Sequence, residues 1–531
     1  MSGGAGSDFR RWLELGLLWL AVLVTALLTR PLLPVDETRY LAVAWEMWQR
    51  GDFLVPHLNG EPYAHKPPLL FWLIHAGWAL FGVSETWGRL VAPLVSLASL
   101  FLAARLARAL WPDAGAGVAI AWLLFGSLIW TGFFTLTQFD MLLVFCVLLG
   151  ALGLWQAAAG QARGWLWLTL ALGLGLLAKG PVILLHLLPL ALAAPLWAER
   201  PARGWAAWYG RIGLSLLGGA ALVLAWAVPA AIAGGPEYRE AIFWGQTANR
   251  VVDSFAHRQP FWWYLPVFPL MLLPWLAWPR LWAPVLDAAQ CRTRPVRFLG
   301  VWLLLVLAGF SLVSGKQVKY LLPLLPAALL LAALGWARLP ARPARAWPAA
   351  ALLLVTGVAL LLLPRLGHAP WMADVQGAWG LVALALAAAL AWLPLGAWGR
   401  LRAVTAASAL IVVLLHLAVV RAAAPAYDLA PLSREIARLQ AAGVPVAHVG
   451  KYHGQFHFLG RLTRPIAVVP VWTALDWARA HPEGYLVLQF SHWQGPHPAE
   501  LAWLQDYRGD AEDLALVAAR ELLAADPAAS R

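Results

Sequence analysis

Apolar residues in this chain come in blocks of about twenty, the length a helix needs to cross the hydrocarbon of a bilayer. Such blocks lie near residues 12 to 33, 88 to 110, 116 to 133, 139 to 159, 164 to 179, 180 to 198, 209 to 233, 261 to 283, 296 to 314, 319 to 337, 347 to 364, 373 to 395 and 401 to 424. The pattern predicts an all-α polytopic membrane protein with about thirteen transmembrane helices. A further apolar run, Leu69 to Phe81, is too short to cross comfortably and is expected to lie at the interface or to re-enter. Beyond Pro425 the pattern changes. Helical periodicity over Leu432 to Ala442, Ala474 to Ala480 and Ala511 to Leu523 alternates with short apolar runs at Pro445 to Val449, Ile466 to Val471 and Tyr485 to Phe490. This reads as a small soluble α/β domain over 425–531, following a transmembrane domain over 1–424.

The first block is followed by a dense polar interruption, Pro34 to Trp72, which crowds Asp36, Glu37, Arg39, Glu61, His65 and Lys66 between two apolar spans. Charge in such a place is costly unless it has a task. Leu41, Ala44, Trp45 and Trp48 recur at helical spacing and Gly51 ends the run. A helix lying flat is expected, with Asp36 at its N-cap and the two tryptophans at headgroup level. Gly60, Pro62, Pro67 and Pro68 then forbid a continuous helix, which holds His65 and Lys66 on irregular backbone.

Composition sharpens the class. At 61% hydrophobic and 12% charged residues, with a mean hydropathy of +0.67, an ordinary soluble protein is excluded. The net charge of +12 would suit nucleic acid, but the arginines sit in short loops rather than in one basic stripe. No nucleic-acid partner is expected, and anionic membrane lipids account for the charge. Arg10, Arg11, Arg105, Arg108, Arg163, Arg200, Arg203, Arg280, Arg292, Arg294, Arg297, Arg338, Arg342, Arg345, Arg400 and Arg402 mark the cytoplasmic side by the positive-inside rule. The amphipathic loops 34–87 and 234–260 and the C-terminal domain then face outward. So do all five lysines, Lys66, Lys179, Lys316, Lys319 and Lys451. Arg10 and Arg11 precede the first apolar block as in a signal peptide, but no small-residue cleavage site follows, so an uncleaved first helix is expected. Cys146 and Cys291 have no metal-ligand spacing, and no disulfide is expected.

Two kinds of candidate chemistry emerge. Asp36 and Asp140 are carboxylates at the mouths of apolar spans, each able to serve as a general base or to orient an acceptor; Asp36 followed by Glu37 can equally be a cap with a first-turn acid. Lys66, Arg39, Arg250, Lys179, Lys316 and Lys319 can be interfacial anchors or, jointly, an anion site for a lipid phosphate. His453 and His457 are four apart but lack a third ligand, and a metal near His65 or His257 is not predicted. No D-x-D pair, P-loop or G-x-S-x-G elbow occurs, which disfavours nucleotide-sugar and ATP chemistry. Neither metal nor cofactor is expected.

V-D-E-T-R-Y at 35–40, P-Y-A-H-K-P-P-L at 62–69, Asp140, A-K-G-P at 178–181, N-R at 249–250, H-R-Q-P-F-W-W-Y-L-P at 257–266 and S-G-K-Q-V-K-Y-L-L-P at 314–323 occur in this order. As a set they resemble the membrane glycosyltransferases of the GT-C fold, in the aminoarabinose transferase and protein O-mannosyltransferase-like group. The resemblance implies an outward-facing site, on the periplasmic side of a bacterial inner membrane, that takes a sugar from a polyprenyl phosphate. The acceptor would be a lipid, lipid A-like, or a protein. Asp36 would be the key carboxylate and Arg39, Lys66 and Arg250 would bind the lipid phosphate. Glu37, Tyr40, Tyr63, Lys179, Lys316, Lys319 and Tyr320, with Asp140, would shape or bind within the pocket. His65 stands where these transferases often have Glu, and Gln317-Val318 where Leu-Pro is common. A transporter or flippase of lipid-linked sugars is the alternative, and it should carry ionisable residues near mid-span rather than on one face.

Overall fold

The computed structural model of the chain describes residues 5–112, 115–245, 258–339, 342–367, 369–491, 493, 500–508 and 512–525. Eight helices among these residues are long and apolar enough to cross a membrane, and four shorter apolar helices accompany them. The protein is a multi-pass membrane protein. Burial sorts the long helices into two populations. In Asp140–Ala158 and Val318–Ala337 the apolar window is 83% and 89% buried, so these form the centre of the bundle. Gly6–Thr29, Gly204–Ala233 and Trp347–Leu366 are only 28% buried and present their apolar faces to lipid.

Because lipid tails solvate apolar side chains as well as a neighbouring helix does, close packing of small residues holds such helices together. The helix Asp140–Ala158 turns back as Arg163–Lys179. A methyl group on Gly153 would stand 2.7 Å from the Gly164 carbonyl oxygen, and one on Gly164 would stand 2.4 Å from the Ala157 nitrogen. Only glycine permits that approach.

Several expected spans are interrupted. The block 261–283 is not one helix but a series of short turns, Phe261–Trp263, Tyr264–Met271, Trp275–Ala277, Pro279–Leu281 and, just beyond, Ala283–Leu286. Pro266, Pro269, Pro274, Pro279 and Pro284 each remove a donor and clash with the preceding turn, so apolar length without regard to proline overstates the helix. The block 116–133 likewise divides into Ala116–Phe125 and Leu128–Phe133.

The polar interruption is organised by four elements between two long helices. Helix α1 (Ala5–Thr29) leads into α2 (Asp36–Arg50), a small hairpin of β1 (His57–Leu58) and β2 (Glu61–Pro62), α3 (Leu69–Phe81) and the crossing helix α4 (Glu85–Leu110). α2 ends as expected, with Gly51 left-handed at φ 66° and its N–H on the Met47 and Trp48 carbonyls. Its start differs from expectation. Val35 occupies the N-cap position without a side-chain bond, and Asp36 is already helical. The apolar face of α2, with Leu41, Ala44 and Met47, packs on Phe71, Ile74 and Trp78 of α3.

Trp45 and Trp48 are not headgroup anchors. The Trp45 indole donates to the Leu462 carbonyl at 2.9 Å, and Trp48 meets Trp78 edge-on at 6.0 Å. Both tryptophans are taken up by protein because the C-terminal unit sits directly on α2. Asn59 of the hairpin pairs with the Ile466 backbone through both its amide groups, and Phe458 stacks on Trp78.

A second hairpin pairs β3 (Ala344–Arg345) with β4 (Pro394–Leu395). The C-terminal unit is then built on a five-stranded sheet of β5 (Val446–Val449), β6 (Ala467–Val469), β7 (Tyr485–Gln489), β8 (Trp503–Tyr507) and β9 (Glu512–Ala518), in the order β6-β5-β7-β9-β8. β5 pairs in parallel with β6 and β7, whereas β9 is antiparallel to β7 and β8. The helix expected over 511–523 is therefore β9 followed by the short helix Ala519–Ala524. Leu514 and Leu516 enter one core layer and Ala515 and Val517 the other. A strand buried on both faces has no polar alternation to distinguish it from a helix.

Candidate active site

One end of the helix bundle gathers Asp36, Arg39, Lys66, Asp140, Lys179, Lys319 and Tyr320 into one polar patch beneath the C-terminal unit. Asp36 opens α2, Asp140 opens the central helix Asp140–Ala158, and Lys179 closes Arg163–Lys179. These charges therefore sit in the first or last turn of a helix or, for Lys66, on the loop before α3, rather than in mid-span.

Asp36 is the hub. Its carboxylate accepts from the Arg39 guanidinium at 2.5 Å and from the Lys319 ammonium at 3.5 Å. Burial pushes its pKa up, but Lys319, Arg39 and Lys66 together outweigh that and hold it below the usual 3.8. The carboxylate is ionised at neutral pH and remains one-third exposed. Lys319 also reaches the Gln138 side chain at 3.4 Å. Lys66 lies with its ammonium 5.8 Å from the Phe139 ring centroid, on the irregular backbone that Pro67 and Pro68 impose.

Asp140 and Lys179 form a second, more deeply buried pair at 2.6 Å. The Lys179 ammonium also lies 5.2 Å from the Tyr320 ring centroid. The pair neutralises itself, which leaves the excess positive charge around Asp36. Tyr40, nearly buried, packs edge-on against Phe139 at 4.9 Å. Its hydroxyl pKa is raised well above 10.0, first by burial and then by Asp36 and Tyr63. Tyr63 is buried beside His65 and Phe71.

Two of the expected binding residues are placed otherwise. Glu37 turns inward and is 1% exposed. Its carboxylate takes both terminal nitrogens of Arg30, the Leu33 N–H at 2.9 Å and the Thr137 N–H at 2.6 Å. Burial opposes the charge, yet Arg30 and these backbone donors hold the pKa below its ordinary value. With its oxygens occupied, Glu37 clamps the turn before Asp36 to the loop before Asp140. Lys316, also buried, donates to the backbone carbonyls of Gln259 at 3.1 Å and Val313 at 2.5 Å. It staples two segments, next to the bridge between Arg258 and Gly315. Arg250 and His257 lie outside the described residues.

Sequence reasoning passed over three contributors. Arg30 looked like the end of a span, Gln138 is an uncharged loop residue, and His453 belongs to the C-terminal unit. His453 is close enough to feel Arg39, Lys451, Asp36 and His65; burial first, then Arg39 and Lys451, lower its pKa to about 4. No local pattern announces the contacts of Gln138 and His453, because they join distant segments, and Arg30 meets Glu37 across a turn that also has to dock on Thr135 and Thr137.

Residues 65–231 match the family described as dolichyl-phosphate-mannose-protein mannosyltransferase. An undecaprenyl phosphate-alpha-4-amino-4-deoxy-L-arabinose arabinosyl transferase from Pseudomonas aeruginosa strain LESB58 is 34% identical over 307 residues, 56% of this chain and 54% of that protein. A second transferase so named, from Pseudomonas fluorescens strain Pf0-1, is 32% identical over 338 residues, 61% of this chain and 59% of its own length. The chain thus spans somewhat over half the length of the curated relatives it matches. ArnT from Cupriavidus metallidurans bound to undecaprenyl phosphate superposes with a TM-score of 0.73 at 21% identity, covering 95% of this chain and 97% of that one. Its apo form gives 0.74 at the same identity. These likenesses establish the fold: over nearly its whole length the chain has the ArnT-like GT-C fold.

Proposed function

We propose that this chain transfers a sugar from a polyprenyl-phosphate donor to a lipid A-like acceptor on the periplasmic face of the bacterial inner membrane. The observation that carries the reading is the cluster around Asp36, where one carboxylate faces three cations, Arg39, Lys66 and Lys319. That leaves an excess of two positive charges at the membrane surface. A sugar phosphodiester carries one negative charge and the departing polyprenyl phosphate carries two. The cations therefore gain most as the bond breaks, which is the differential stabilisation a transferase needs.

In the step itself an acceptor oxygen bonds to the anomeric carbon while the bond from that carbon to the phosphate oxygen breaks. The electron pair of the broken bond stays on the phosphate, held by Arg39, Lys66 and Lys319. Arg250, outside the described residues, is expected on the same phosphate by its motif. An acceptor hydroxyl passes its proton to Asp36; an acceptor phosphate has none to lose, and Asp36 then orients it. The Asp140–Lys179 pair and Tyr320 border the pocket, while Tyr40 and Tyr63 line its protein side. We further propose that 425–531 form an outer domain over this site. The location of the charges at helix ends and on the loop of Lys66 supports transfer rather than transport, for which mid-span charges would be expected. The reading extends to this chain what the names of its relatives and the undecaprenyl phosphate of the ArnT structure say of those proteins.

The test is direct. Purified, membrane-inserted protein is given undecaprenyl phosphate carrying a radiolabelled aminoarabinose and lipid A, and label in the lipid A fraction is counted. Label transfer that disappears in Asp36→Asn is expected. Absence of transfer by the parent protein, with donor bound, would overturn the proposal.

A further inference from the structure

A cavity of about 500 Å³ opens in the C-terminal unit, at the carboxyl ends of the parallel strands β5 and β7. This is where open α/β sheets take their ligands, because the strand ends and following loops diverge there. His448, Lys451, His453, Gln455 and Arg508 line it, and no carboxylate stands among its described lining residues. The remaining wall residue of note is Val35, which immediately precedes Asp36. The cavity therefore belongs to the C-terminal fold but abuts the active-site turn.

Its cationic rim is held in place. Arg508 has a left-handed backbone, φ 62°, a costly conformation for arginine. The helix Arg421–Tyr427, which leads into the C-terminal unit, stabilises it: the Arg508 N–H donates to the Ala426 carbonyl at 2.9 Å, and the Tyr427 hydroxyl donates to the Arg508 carbonyl at 3.0 Å. The loop that carries Lys451 and His453 is fixed from the other side. Gln455 accepts the His453 N–H at 2.9 Å and reaches His448 at 3.3 Å. Gly454, at φ 73°, seats the loop on the membrane domain so closely that a methyl group there would stand 2.3 Å from a Leu58 side-chain carbon.

On the proposed transferase reading, we propose that this cavity is the subsite for an anionic headgroup of the acceptor, a phosphate borne on a lipid-linked sugar. Lys451 and Arg508 bind the phosphate, Gln455 and His453 hydrogen-bond the sugar, and the shared wall at Val35 delivers the neighbouring acceptor oxygen to Asp36. A protein acceptor would have no use for two cations over a cavity with no carboxylate among its described lining residues. A phosphorylated glycolipid would.

Binding of three lipids to the detergent-solubilised full chain tests this: diphosphorylated lipid A, lipid A stripped of its phosphates, and undecaprenyl phosphate. Lys451 and Arg508 are both exposed, so Lys451→Ala/Arg508→Ala leaves the core untouched. The double variant is expected to bind diphosphorylated lipid A at least about tenfold more weakly, as loss of charge-assisted contacts requires. Its affinity for undecaprenyl phosphate should stay within about twofold, because the donor cations are separate. Unchanged affinity for diphosphorylated lipid A, or an equal loss with the stripped lipid, overturns the subsite. A parent protein that does not distinguish the phosphorylated from the stripped lipid overturns it as well. If the parent binds through Lys451 and Arg508 but moves no label, the subsite stands and the transferase reading falls.

Discussion

Replacing Glu37 with Gln separates a structural clamp from a substrate contact. Four donors converge on two carboxylate oxygens: two nitrogens of Arg30 and the N–H groups of Leu33 and Thr137. Glutamine offers one acceptor and turns an NH₂ group toward the other donors. At 6% and 1% exposure, Arg30 and residue 37 have little water to make good the loss. Breaking one half of such a buried pair costs roughly 3 to 5 kcal/mol, a large part of the roughly 5 to 15 kcal/mol that holds a typical domain. The turn from Leu33 to Val35 positions Asp36, so turnover should fall along with stability. Heat challenge of the detergent-solubilised protein, scored by the monodisperse fraction that survives, reads the first effect. A double variant, Arg30→Gln with Glu37→Gln, should recover part of the loss, since no lone charge is then left buried. Parent-like heat resistance in Glu37→Gln, combined with a raised KM for donor, would refute the clamp and return Glu37 to the binding site.

Asp36→Asn should leave the fold intact and lower turnover at least about a hundredfold; because Val35, not Asp36, stands at the cap, near-normal turnover would show that the carboxylate has no catalytic task. Lys66→Ala, Arg39→Ala, Lys319→Ala and Arg250→Ala should each lose on the order of 2 to 4 kcal/mol of transition-state stabilisation, and kcat/KM values like the parent's in all four would rule out a shared phosphate site. The depressed pKa of Asp36 means that its contribution to stability is present above pH 3.8 and is lost as pH falls through the lower folded-state value. Stability against acid should therefore decline at lower pH in the parent than in a variant lacking Lys319, a difference readable by light scattering during acid titration. Reporter fusions after Arg163 and after Ala424 should read opposite sides of the membrane, and the same side for both would undo the outward assignment of Asp36.

Hydropathy alone determined that the chain spans a membrane many times, because about twenty apolar residues have few other uses. Local chemistry also placed Asp36 and Lys66 on one polar segment, stopped α2 at Gly51, and kept Lys66 off any helix through Pro67 and Pro68. The small α/β unit was visible in its short apolar runs, yet β9 was hidden, since a strand covered on both faces carries no periodic signature. Only tertiary structure joined Lys319 to Asp36, 283 residues away, and Lys179 to Asp140. It alone tied Glu37 to the Thr137 N–H and set Lys316 on the Gln259 carbonyl. The physical reason is range. Periodicity, caps and prolines act within a turn or two of the chain, and the sequence displays them directly. The partner of a charge depends on which helix ends the packed bundle brings together, and small residues such as Gly153 and Gly164 govern that packing through close approach across the bundle.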